Sequence, residues 1–127
     1  MKNSILLLAL FFFSCTSDDI AENLSPSYTV EDKWLWSPSE NRADANTMYE
    51  LLDNNVYTYY CSECLTDDDW NDLDSNDRIP EVKKYSFDGD SLEWYGAKRG
   101  VSFECNGGKL IMDGGLIQLW RLNSNCN

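Results

Sequence analysis

From Val30 onward, apolar and polar residues alternate with a period of two, as in strands that bury one face. Trp34 and Trp36 flank Leu35 in a first segment that Pro38 ends. After a polar loop, residues 47–52 and 56–60 are joined by Asp53-Asn54-Asn55, a strong hairpin signal. Residues 83–87 and 91–95 flank Asp88-Gly89-Asp90, residues 101–105 and 109–113 flank Asn106-Gly107-Gly108, and Gly114-Gly115 leads into residues 116–122. The pattern predicts about eight short strands, and connections this short make neighbours antiparallel, so the chain is an all-β meander. Alternation places Tyr85, Phe87, Leu92, Trp94, Val101, Phe103, Leu110 and Met112 on the core face, with Lys84, Ser86, Glu93, Ser102, Glu104 and Lys109 opposite. Five of those eight core residues are large, and glycine and alanine are missing among them, which predicts an interior filled by side chains. The single helical signal is Thr66 ahead of Asp67-Asp68-Asp69-Trp70, a capped turn or two near 66–74.

Composition narrows the chemistry. The chain has 127 residues, a formal charge of -12 and no histidine. One small domain fits that length. Without histidine there is no Ser-His-Asp or Cys-His nucleophile and no histidine-ligated zinc. The acidic balance argues against a nucleic-acid partner, which needs a basic stripe to neutralise phosphates.

The amino terminus carries the targeting information. Lys2 is followed by nine consecutive apolar residues, Ile5 to Phe13, then by Ser14 and Cys15. Nine residues are too few to span a bilayer as a helix, which takes about 20, so residues 1–14 read as a secretory signal. Cys15 then reads as the lipid-modified first residue of a lipoprotein, and residues 15–32 as its flexible tether ahead of a β-domain at 33–127. The run Thr16-Ser17-Asp18-Asp19 resembles the surface-export signal of lipoproteins from Bacteroidota. That resemblance implies a lipid-anchored outer-membrane protein exposed at the cell surface, with the membrane as a partner. Likewise, an eight-strand meander with tryptophan in its first strand and a polar interruption resembles the small lipocalin-like domains of such lipoproteins, implying a barrel or half-barrel. The stretches T-M-Y-E, Y-T-Y-Y-C and R-L-N-S-N-C resemble those of uncharacterised lipoproteins of the same kind.

Four constellations bear on function. Cys61-Ser62-Glu63-Cys64 has redox or half-zinc spacing, yet Glu63 raises a thiol pKa instead of lowering it. Structural disulfides are the expectation: the first and third strands of a meander over 101–122 end at one edge, which brings Cys105 to Cys126 and leaves Cys61 with Cys64. Next, six aspartates lie in 67–77, but a calcium loop started at Asp67 places Asp72 at the glycine position and Arg78 at the glutamate position. No metal or other cofactor is expected. Glu93 and Glu104 form the third constellation, a carboxylate pair for hydrolysis if neighbouring strands bring them face to face. Last, with 5 Trp, 7 Tyr and 5 Phe, some rings are expected at the surface, and an outer cluster of Trp34, Trp36, Tyr57 and Tyr59 is the candidate ligand platform. The sequence therefore points to a non-enzymatic envelope lipoprotein with a structural, interaction or weak ligand-binding role. A lipocalin-like or glycan-binding module for a small apolar or sugar ligand is the alternative, and a carboxylate-pair hydrolase the third reading.

Overall fold

A computed structural model describes residues 28–126. The signal segment, Cys15 and most of the tether lie outside the described residues. Eight antiparallel strands, β1 (Lys33–Trp36), β2 (Thr47–Leu52), β3 (Asn55–Tyr60), β4 (Lys83–Phe87), β5 (Ser91–Trp94), β6 (Ala97–Glu104), β7 (Lys109–Met112) and β8 (Ile117–Arg121), pair in chain order and close into a barrel. The meander and the short helix follow the sequence pattern. Several strand ends shift by one residue, and the largest difference is in β6, which begins at Ala97 because Tyr95 and Gly96, both at positive φ, make a two-residue hairpin turn that sends the chain straight back along β5. Helix α1 (Asp67–Asn71) starts with a capping box, in which Thr66 accepts from the Asp69 N–H and Asp69 accepts from the Thr66 N–H. The backbone N–H groups of Thr66 and Leu65, both donating to Asp69 Oδ2, hold the exposed Asp69 carboxyl below its usual pKa.

All eight residues expected in the core face the barrel interior. Tyr85, Leu92, Trp94, Leu110 and Met112 are buried with Trp34, Leu51, Val56 and Leu119, while Phe87, Val101 and Phe103 pack against them. A second core lies outside the barrel. The connection from Cys61 to Val82 folds back over the outer faces of β1 to β3 and buries Trp70 against Leu35, Met48, Tyr59 and Leu122. Arg78 pins this connection: its Nε donates to the Tyr59 hydroxyl (2.8 Å), its Nη2 reaches Glu50 (2.6 Å), and its guanidinium lies 3.8 Å from the Tyr57 ring centre.

The two barrel ends differ. One end, bounded by the β2–β3, β4–β5 and β6–β7 turns, is plugged by the segment preceding β1. Val30 is 2% exposed within the inner core, and its carbonyl accepts from Trp34 Nε1 (2.9 Å). Tyr28 packs at a tilt against Phe103 and covers Gly107, whose positive φ and missing Cβ make room for the ring. Arg121 clamps the same segment through Asp32 Oδ2 (2.7 Å) and the Thr29 carbonyl (2.8 Å). Residues 28–32 therefore belong to the folded domain and not to the tether, because their apolar side chains supply the lid of this end. Cys105 pairs with Cys126 beside the plug and Cys61 with Cys64 at the other end, with Cα–Cα separations of 5.9 and 5.5 Å. Both pairings are those expected from the meander.

Candidate functional site

The strand register decides where the candidate rings lie. Trp34 stands opposite Tyr49, and Tyr49 opposite Thr58, so Trp34 shares a face with Thr58 while Tyr57 and Tyr59 point the other way. The expected platform of Trp34, Trp36, Tyr57 and Tyr59 is thus divided by the barrel wall. Trp34 is fully buried inside, Tyr59 is 2% exposed in the outer core, and Tyr57 is covered by Arg78. Trp36 alone of the four reaches an opening. The carboxylate pair is separated as well: Glu93 stands opposite Lys98 and Ser86, and Glu104 opposite Lys109. Four of the six aspartates of 67–77, Asp67, Asp69, Asp74 and Asp77, bond to their own chain. Asp67 accepts from Arg42 and from the Asn123 N–H, and Asp74 caps the turn Ser75–Asp77. Among the described residues, no three acidic or cysteine side chains gather as a metal site.

The unplugged end forms an aromatic mouth. Across its rim, Trp36, Thr47 and Tyr60 stand in register on three successive strands. They share a surface cleft of about 410 Å³ with Asn46, Cys61 and Ser62, and none of these six residues is charged. Thr47 donates its hydroxyl to Asn46 Oδ1 (2.9 Å), which leaves the Asn46 amide nitrogen to donate elsewhere. The cleft is anchored from both sides: the Asn46 N–H bonds the Trp36 carbonyl, the Cys61 N–H bonds the Asn46 carbonyl, and the Cys61–Cys64 disulfide closes the loop behind it.

Below the rim, Tyr49 stands edge-on to Trp94 at 5.1 Å, and Trp94 stands edge-on to Tyr95 at 5.3 Å. The Tyr95 hydroxyl meets the Thr58 hydroxyl at 3.3 Å, spanning the seam where β3 and β4 pair over only two residues. Burial, with smaller contributions from Tyr95 and Tyr60, pushes the Tyr49 pKa up to about 12, so this phenol is a neutral packing group at physiological pH. A second cleft, of about 580 Å³, runs from Tyr95 and Gly96 along Lys83, Lys84 and Glu93. A third, of about 120 Å³, opens where β1 and β8 part, between Trp36, Pro38, Leu116 and Trp120. Tyr60 and Tyr95 remain 66% and 48% exposed.

Tyr60, Tyr95 and Asn46 escaped the sequence reading of the site. The available signal was parity, since Tyr60 falls on the inward face at the last position of β3, where an inward ring emerges at the rim. No family model, curated protein or solved structure matches this chain.

Proposed function

We propose that the protein is a lipid-anchored envelope protein, held in the outer membrane and facing outward, whose barrel mouth binds neutral sugar residues without transforming them. The observation that carries the reading is the uncharged cleft made by Trp36, Tyr60, Asn46, Thr47 and Ser62. Aromatic faces pack against the C–H face of a pyranose, while amide and hydroxyl groups serve its hydroxyls. A shallow, solvent-open cleft with two rings supports weak binding, on the order of 0.1–1 mM. The interior supports no rival ligand of lipid size, because ten inward side chains are buried against one another.

Orientation agrees with anchoring. Tyr28 enters at the plugged end, opposite the mouth, so attachment through Cys15 leaves the mouth clear of the anchor. Fully extended, the chain between Cys15 and Tyr28 reaches about 45 Å. Cys15→Ser is expected to abolish fatty-acid labelling and membrane partitioning. Labelling equal to that of the unaltered chain would remove the anchoring half of the reading.

Calorimetric titration of the full-length protein, in a detergent without a sugar headgroup, against neutral oligosaccharides tests the binding half. Trp36→Ala is expected to weaken binding about tenfold, the loss of a stacked ring. Tyr60→Ala is expected to weaken it less, since one face of that ring is already in water. Binding that survives both substitutions unchanged would place the ligand elsewhere.

A further inference from the structure

The cleft along β4 and β5 is separate from the mouth and differs from it in carrying charge. Its volume, about 580 Å³, lies within the range of about 300–1,000 Å³ usual for small-molecule sites. Lys84, Ser86, Glu93 and Tyr95, all exposed, line it. Ser86 stands opposite Glu93, and Lys84 and Tyr95 adjoin the next cross-strand pair, Tyr85 with Trp94.

Lys84 is set apart by its charge. Among the described residues, seven of the nine basic side chains form ion pairs, including Lys83, which Glu81 holds at 2.6 Å. Of the other two, Lys109 stands opposite Glu104 and lies over the Trp120 ring. Lys84 gives one hydrogen bond, to the neutral Asn55 Oδ1 (2.6 Å), and so keeps two donors and its full charge for a ligand. Glu93 is unspent in the opposite sense. Lys98, across from it on β6, turns to Asp88 at 3.6 Å, and no donor reaches the Glu93 carboxylate among the described residues.

Tyr95 supplies a fixed aromatic face. It holds φ 50 in the β5–β6 turn, a conformation uncommon for a bulky residue and one for which asparagine is the favoured choice before glycine. Its hydroxyl meets that of Thr58 and its ring packs edge-on to Trp94, yet the side chain stays 48% exposed. A ring already held in place loses little freedom when a ligand covers it.

We infer that this cleft binds a hexuronic acid residue, with its carboxylate accepting from Lys84, its ring hydroxyls donating to Glu93, and its C–H face resting on Tyr95. A neutral sugar would leave the Lys84 charge unanswered, and a simple aromatic acid would leave Glu93 without a donor. The site does not depend on the mouth and stands even if the mouth takes no sugar.

Methyl glucuronoside and methyl glucoside, which differ only in a carboxylate against a hydroxymethyl group, make the test. Binding is read from the Gly96 amide signal of the isotope-labelled full-length protein, in the detergent used above. The glucuronoside is expected to bind about tenfold tighter, the gain of a charge-assisted hydrogen bond to an exposed cation. Lys84→Gln should cut that preference to about twofold with glucoside affinity unchanged, and Lys84→Arg should keep it. Tyr95→Asn, which suits the turn and removes the ring, should weaken both glycosides about threefold, whereas Trp36→Ala at the mouth should alter neither. Equal affinity for the two glycosides, a preference that survives Lys84→Gln, or no binding of either would overturn the inference and leave the mouth site standing. Tighter binding of L-phenylalanine than of the glucuronoside would also overturn it, because an ammonium group would then be the partner of Glu93.

Discussion

Trp34→Ala is expected to destabilise the domain by about 4 kcal/mol, read as a lower urea midpoint at unchanged slope. Trp34 is fully buried, so truncation opens a cavity that the strands around it cannot collapse to fill. Two further contacts go with the ring. Its Nε1 ties the plug through the Val30 carbonyl, and the Arg121 guanidinium that clamps the plug lies 4.3 Å from its centre. Trp34→Phe should recover much of the volume but not the bond to Val30, giving an intermediate loss. Trp36, two residues along the same face and only half-buried against the core, should cost less stability and most of the binding when removed. A pair so close in sequence separates by height in the barrel, one ring at the plugged core and the other at the open rim.

Replacing Cys105 and Cys126 together by serine is expected to cost about 3 kcal/mol, from the loop-closure entropy of a bridge spanning 21 residues. This bridge fastens the tail after β8 to the β6–β7 turn, beside the plug. Its loss loosens the tail from the turn beside Gly107, over which the ring of Tyr28 rests. Replacing Cys61 and Cys64 should cost less, because their ring spans three residues, but it should weaken sugar binding since Cys61 forms part of the mouth cleft. Thermal unfolding and the oligosaccharide titration, run on both double variants, separate the two effects.

Much of this architecture is local and therefore legible. Turn pairs such as Asp53-Asn54 adopt positive φ as their residue types favour, and strand period two then fixes the inward face from Tyr85 to Met112 without knowledge of the partners. Thr66 and Asp69 announce the helix for the same reason. Two things were hidden because they depend on register and on long-range return of the chain. The outer core is one: Leu35 between two tryptophans and Met48 beside Tyr49 already show strands apolar on both faces, the mark of double coverage, but nothing local says that residues 61–82 supply the cover. The other is the ligand platform. Tryptophans on β1 and tyrosines on β3 share a face or not according to how β2 pairs with each, and one residue of register decides it. The observed register sets Tyr57 and Tyr59 outside and Tyr60 at the mouth, so the exposed ring is the neighbour of the two expected.

The tryptophan indole N–H resonances give the most direct test of a mouth site on a filled barrel, because the five tryptophans sample different depths. Trp34 lies in the plugged core, Trp70 under the outer connection, Trp94 on the floor of the mouth, and Trp36 and Trp120 at the two clefts. During titration of the isotope-labelled protein with a neutral oligosaccharide, the Trp36 signal is expected to shift and saturate, Trp94 to move slightly, and Trp34 and Trp70 to stay in place. A Trp34 signal that shifts at the same sugar concentrations as Trp36 would mean that the ligand reaches the barrel interior, and would contradict both the filled core and the site built upon it.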